Sequence, residues 1–284
     1  MKLSQTRIAI TLAILVVTTS GCGLINRVRA KNQLNEAAQA YHEGHFEEAE
    51  QHSRRALELD PDSKSAPLFI ARTIHAQFRP GVQAPENLAK ANEAIQAYQK
   101  ILEKDPKNEE AFKAIAYLYG AIKDDDKLRA WLSSRANDAS VDPDKRAEAY
   151  TILASKDWDC SFKITELPTN KSTAMGAGNH VTVTYKKPQQ QKDFDAAQAC
   201  VKRGLEEVEN AIKLDPNNES AWSYKTNLLL EAEKLAEMDG KMDQKAQLDK
   251  QREEAQKRTS VLSEANQKKK EEEEARKTAS PAKK

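Results

Sequence analysis

Ala37-Ala-Gln-Ala-Tyr41-His-Glu-Gly44-His-Phe46-Glu-Glu-Ala49-Glu-Gln-His-Ser-Arg-Arg-Ala56-Leu-Glu-Leu-Asp-Pro61 is the stretch whose reading decides the fold. Apolar and small residues recur at helical spacing on both sides of Gly44. Tyr41 closes a first helix, Gly44 makes the turn, and a second helix runs to Asp60. Ala37, Ala49 and Ala56 let the two helices approach closely, while Phe46 and Leu57 fill the gap between them. Pro61 ends the unit, because proline has no backbone N–H to donate and pushes its predecessor out of the α region.

The Asp-Pro step recurs. It appears in Leu57-Glu-Leu-Asp-Pro61, Leu102-Glu-Lys-Asp-Pro106, Ala139-Ser-Val-Asp-Pro143 and Ile212-Lys-Leu-Asp-Pro216. The prolines are 45, 37 and 73 residues apart, exceeding 34 by 11, 3 and 39. A period of 34 residues with small, turn, aromatic, small, small and Pro residues at Ala37, Gly44, Phe46, Ala49, Ala56 and Pro61 resembles the tetratricopeptide repeat (TPR). The resemblance covers about residues 30–238 and implies an all-α solenoid of stacked helical hairpins, the class of a protein-binding scaffold.

The other units follow the same frame. Leu68, Phe69, Ala71 and Ile74, then Leu88, Ala91, Ala94, Ile95, Tyr98 and Leu102, make the second pair, with Arg79-Pro-Gly-Val-Gln-Ala-Pro85 as a loop absorbing 11 extra residues. A third pair turns at Asp124-Asp-Asp126. A fourth is split by residues 159–193, where Ser161–Leu167 and His180–Tyr185 alternate as strands do. The reading is therefore a helical solenoid over 30–240, an inserted β-hairpin over 159–193, a polar capping helix over 241–267 and a charged, disordered tail over 268–284. Solenoid ends need such polar caps for solubility.

The N-terminus reads as an address. Lys2 and Arg7 precede an apolar run over residues 8–17, followed by Thr18, Thr19, Ser20, Gly21 and Cys22. Ser20-Gly-Cys22 resembles a bacterial lipobox, although Thr19 stands where Leu is usual. The resemblance implies a signal peptide over 1–21, a lipid on Cys22 and a linker over 22–29. It places the chain in the bacterial cell envelope, facing the periplasm; Gly23, in place of an Asp, favours the outer membrane.

With Cys22 lipidated, Cys160 and Cys200 remain. In an oxidising compartment they pair as a disulfide; otherwise they pack as small buried thiols. Lys plus Arg (45) balance Asp plus Glu (44), which gives no basic stripe for nucleic acid. His42, His45 and His52 lie close together, and the turn between helices could bring two of them side by side, but such hairpin histidines read as solvated rather than metal-binding; HExxH, Walker A and GxSxG motifs are absent. No catalytic group, cofactor, metal or small-molecule substrate is expected.

In TPR stacks the first helix of each pair lines the concave face. That resemblance puts Arg72, His75, Lys113, Tyr117 and Tyr150 in a groove where cations and aromatics take an extended peptide or its carboxylate. Leu34 and Ala38 replace the Lys/Asn clamp of chaperone-tail binders. The expected partners are envelope proteins or peptides, with the membrane reached through the lipid. The alternative is an enzyme or accessory enzyme subunit with a site in the 159–193 insertion.

Overall fold

The computed structural model describes residues 23–175 and 181–279. Residues 1–22, where the signal peptide and lipidated Cys22 were expected, lie outside them, as do residues 176–180 and 280–284. The helical-hairpin fold read from the sequence is the one observed. The chain divides into two compact units between Leu128 and Arg129, within the solenoid expected over 30–240 with its 159–193 insertion.

The first unit holds α1 (residues 23–42), α2 (Phe46–Leu59), α3 (Ala66–Gln77), α4 (Pro85–Lys104) and α5 (Glu109–Ala121). Gly44 has φ +82, a left-handed backbone that glycine adopts without a Cβ penalty. It lets Gly44 N donate to Tyr41 O and His45 N donate to Ala40 O, closing α1 and starting α2. Ala37, Ala49, Ala56, Ala66 and Ala71 are fully buried where helices cross, so the small side chains set the packing distance.

Three of the four Asp-Pro steps share one local mechanism. At the end of α2 and α4, Asp60 N and Asp105 N donate back to Ala56 O and Ile101 O before the proline stops the helix. Three residues after each Asp a side chain starts the next helix. Ser63 Oγ accepts from Ala66 N at 3.2 Å and Asn108 Oδ1 from Ala111 N at 3.0 Å. The second unit repeats this at Asp215, where Asn218 Oδ1 accepts from Ala221 N at 3.0 Å. The third step is different. The preceding helix α6 (Asp125–Asn137) ends five residues before Asp142, and Pro143 occupies the first turn of α7. Here Asp-Pro starts a helix and ends none.

The second unit contains α7 (Pro143–Thr165), the 3-10 turn η1 (Pro168–Asn170), β1 (Lys171–Met175), β2 (Val181–Tyr185), α8 (Gln191–Leu214), α9 (Glu219–Met238) and α10 (Met242–Ala279). Ala154, Val208 and Leu228 form one core cluster of α7, α8 and α9; Phe194, Ala197, Val201, Leu235 and Met238 form another. β1 and β2 pair antiparallel from Lys171↔Tyr185 to Met175↔Val181.

The structure corrects two expected boundaries. Ser161–Leu167 is not the first strand: α7 continues through Thr165. Its apparent alternation is the i, i+4 spacing of Ser161 and Thr165, both buried against α9. α8 begins at Gln191, ahead of the expected Phe194, so the extra length of 159–193 is partly longer helices and only partly hairpin. The capping helix and the tail, expected at 241–267 and 268–284, are one helix to Ala279. Ala255 and Leu262 are buried, but residues 263–276 are exposed on every side. There the helix is supported by side-chain pairs such as Gln267 to Glu271 at 3.0 Å. No helix among the described residues is long and apolar enough to cross a membrane.

Candidate functional site

A groove of about 650 Å³ opens on the first unit. Helices α1, α3 and α5, the first members of successive pairs, supply Tyr41, Arg72, His75, Lys113 and Tyr117; α4 adds Tyr98 and the following loop of α3 adds Phe78 and Pro80. Arg72 and His75 are one turn apart on α3, and Lys113 and Tyr117 one turn apart on α5, so each pair points the same way. Arg72, His75, Lys113 and Tyr117 line this one groove.

Tyr150 does not join them. It belongs to the second unit, packs beside the Ala147, Ala211 and Ala221 cluster, and donates from its hydroxyl to Asn137 Oδ1 at 2.8 Å. Periodicity placed it on a first helix but could not say which unit that helix belongs to.

The groove combines aromatic rings with the charged Arg72, Glu110 and Lys113. The His75 ring stands edge-on to Tyr98 with centroids 5.9 Å apart, and lies tilted 5.5 Å from Tyr117. Tyr98 is buried, which pushes its hydroxyl pKa upward. Burial lowers the His75 pKa, so its imidazole is neutral at pH 7. Tyr117 is 52% exposed and offers a ring face to a ligand. Arg72 is committed: its Nε and Nη2 each donate to one oxygen of Glu110 in a bidentate pair.

The second unit carries two buried polar clusters that sequence reasoning missed. At the root of the hairpin, Lys234 Nζ donates to Glu231 Oε1 at 2.5 Å and Glu166 Oε1 at 2.7 Å. Glu231 Oε2 accepts from Ser161 and Thr165. Glu166 also accepts from Lys171 Nζ at 2.6 Å and Tyr185 OH at 3.0 Å. Each carboxylate oxygen thus has a partner, and the set joins α7, both strands and α9. The second cluster surrounds Asp157, whose Oδ1 accepts from Arg129 at 2.7 Å and Arg203 at 2.9 Å, while Arg129 also reaches Glu207 at 2.9 Å. The disulfide lies beside it: Cys160 on α7 and Cys200 on α8 are bonded, with Arg203 Nη2 3.3 Å from Cys200 Sγ. The signal for both clusters is a charged residue at a core position of an amphipathic helix, as Glu231 is after Leu228 and Leu229.

The remaining sequence candidates lie apart from the groove's chemistry. His45 faces Glu43 and Glu48, and His52 sits 3.1 Å from Glu36. Among the described residues no three side chains gather as metal ligands. Leu34 packs against Ala30, Ala56 and Ala66.

The sequence model of the protein prenyltransferase alpha subunit repeat matches residues 201–232, the end of α8 and most of α9, a single helical hairpin. No curated protein matches the sequence. Among solved structures, MamA from Desulfovibrio magneticus is 16% identical, with 84% of this chain and 96% of that chain covered at a TM-score of 0.41. A tetratricopeptide repeat protein from Parabacteroides merdae is 12% identical, covering 83% and 96% at 0.35. A TPR repeats protein from Bacteroides fragilis is 13% identical, covering 70% and 97% at 0.30. The fold stated above rests on this chain's own helices.

Proposed function

We propose that this chain is a non-catalytic interaction scaffold whose first unit holds an extended segment of a partner protein in the aromatic groove. The observation that carries this is the convergence of Tyr41, His75 and Tyr117 from three helices on one concave surface, with the buried Tyr98 ring packed behind His75. Neutral His75, and the charge of Arg72 already balanced by Glu110, favour apolar or aromatic side chains over a free carboxylate. Aromatic rings give such contacts large area at little entropic cost. That shifts the ligand chemistry away from the carboxylate capture suggested by the cations alone.

The same reading sets the chain in the bacterial envelope, tethered through Cys22 and facing the periplasm, with envelope proteins as partners. The order of residues 2–22 supports it. So does the Cys160–Cys200 bond, which belongs to an oxidising compartment. An enzymatic role for the insertion gains nothing from the hairpin root, where the carboxylates are spent on structural partners.

Selection of peptides from a random display library on the chain from Gly23 onward tests the groove. Enriched peptides should share an apolar or aromatic residue. Tyr117→Ala or His75→Ala should weaken them by about tenfold or more, the scale of an aromatic anchor at an interface, with helical circular dichroism unchanged. Unaltered affinity in both variants would place the binding surface elsewhere.

A further inference from the structure

We infer that the first two turns of α1 form a docking face for an anionic lipid surface, which lays the helix against the membrane to which the chain is tethered. The inference builds on the reading of Cys22 as the attachment point, because the face begins two residues after it.

Leu24, Ile25 and Val28 are 67%, 52% and 57% exposed, although each is a large aliphatic side chain. With 3.6 residues per turn they share one side of α1. That side is not an extension of the packing seam. Ala30, Leu34 and Ala37 face the neighbouring helices from the opposite side, where Ala30 packs with Ala56 and Ala66. A core stripe that ran on past the end of the stack would continue the Ala30 line; this stripe departs from it. Three exposed aliphatics on one short arc call for a cover that the first unit's own packing does not supply.

The charges state what kind of cover. On the helical wheel, Arg27 and Lys31 border the aliphatic arc on one edge and Arg29 on the other. All three are exposed and make no ion pair among the described residues. No Asp or Glu precedes Glu36. An aliphatic arc flanked on both sides by cations is the arrangement of an interfacial helix. The aliphatics enter the boundary of the acyl chains, and the Arg and Lys stems reach outward to phosphate. A protein partner would need acidic groups at both edges of a narrow apolar slot. A bilayer rich in anionic headgroups presents the same complementarity over its whole surface, and residue 22 is where the chain would already touch it.

Co-sedimentation of the chain from Gly23 onward, which keeps both folded units and carries no lipid, tests the face alone. The vesicles are equal parts phosphatidylglycerol and phosphatidylethanolamine, with pure phosphatidylcholine as the neutral comparison. Binding to the anionic vesicles is expected to exceed binding to the neutral ones by at least about tenfold, and to weaken as salt is raised to ~0.5 M. The triple substitutions L24S/I25S/V28S and R27Q/R29Q/K31Q should each remove most of it. Both act on exposed side chains, so thermal unfolding should stay that of the parent chain.

Equal sedimentation with both vesicle types, or triple variants that sediment like the parent, would overturn the inference. So would a dimer in sedimentation velocity that L24S/I25S/V28S dissociates, since a second copy would then be the cover. The intact mass of the chain extracted from envelopes reports acylation of Cys22 separately. An acylated chain whose α1 face ignores anionic vesicles sinks this inference and leaves the anchor standing; a bare Cys22 with a binding face does the reverse.

Discussion

Lys234 Nζ lies 2.5 Å from Glu231 Oε1, with only 5% and 1% of the two side chains reached by solvent. Two ions removed this far from water are tolerated because their other bonding sites are filled. Ser161 and Thr165 donate to Glu231, and Glu166 receives the ammonium. Breaking such a pair from one side leaves the other charge stranded, which is more damaging than removing both. Lys234→Met should therefore cost about 3–5 kcal/mol in urea unfolding of the chain. The double variant Lys234→Met/Glu231→Gln should recover a large part of that loss. A single variant within about 1 kcal/mol of the parent would show that the pair is not what secures the hairpin root.

The two clusters of the second unit should respond to pH with opposite sign. Burial works to raise the Glu166 pKa, but the bonds from Lys171 and Lys234 outweigh it and hold the carboxyl at about 2, below its ordinary 4.5. Its folded state prefers the ionised form, so the stability it contributes is present above pH 4.5 and is lost as pH falls toward 2. Glu207 goes the other way. Burial, reinforced by the charge of Asp157, raises it to about 7, and its Oε2 and Asp157 Oδ2 are buried without a hydrogen-bond donor. A proton on Glu207 supplies that donor. Its contribution is fullest below pH 4.5 and is lost as pH rises through 7. Melting temperatures across pH 2–8 should thus show Glu166→Gln flattening the acid limb and Glu207→Gln flattening the decline toward pH 7. Variants whose curves parallel the parent's would refute both assignments.

What was legible in the sequence was what is local. Asp105-Pro-Lys-Asn108 and Asp215-Pro-Asn-Asn218 announce a helix stop and a helix start within four residues, because the bonds that make them span one turn. The groove candidates came instead from the TPR resemblance, which puts first helices on the concave face; Arg72, His75, Lys113 and Tyr117 line one groove and Tyr150 does not. Ser161–Leu167 misled because two hydroxyl residues four apart read equally as alternate strand positions. Only α9, 66 and 70 residues further along, reveals that both face Glu231. Asp157 was silent for a like reason, since its two arginines lie 28 and 46 residues away. Nothing in a single segment distinguishes a buried, paired carboxylate from a solvated one.

The Cys160–Cys200 bond closes a loop of 40 residues between α7 and α8. Chain entropy alone gives about 4 kcal/mol for a loop of this size, an upper bound because these helices already pack along their length. The double variant Cys160→Ser/Cys200→Ser should lower the urea midpoint correspondingly, and reductant should lower the parent's midpoint to the same value. Thiol titration of the unfolded chain from Gly23 onward should count no free thiol before reduction and two after. A midpoint indifferent to reductant would mean that the bond constrains nothing the helices do not already hold.

Gly204 sits in the middle of α8, where glycine is a poor choice on helix propensity and alanine would gain about 1 kcal/mol. The space around it explains the choice. A Cβ at residue 204 would stand 2.7 Å from Leu228 Cδ2, 3.0 Å from Leu228 Cδ1 and 3.1 Å from Asp157 Cβ. Leu228 is fully buried between Ala154 and Val208, so its methyl groups have nowhere to retreat, and Asp157 is pinned by two arginines. Overpacking of this kind costs about 1–3 kcal/mol and also pries apart the α7–α8 contact on which the Asp157 cluster depends. Sterics should therefore outweigh propensity, and Gly204→Ala should be net destabilising in thermal unfolding. Adding Leu228→Ala should relieve the clash, so that the double variant loses less than the two single losses combined. Gly204→Ala that melts above the parent would mean that α8 stands further from α9 than these distances say.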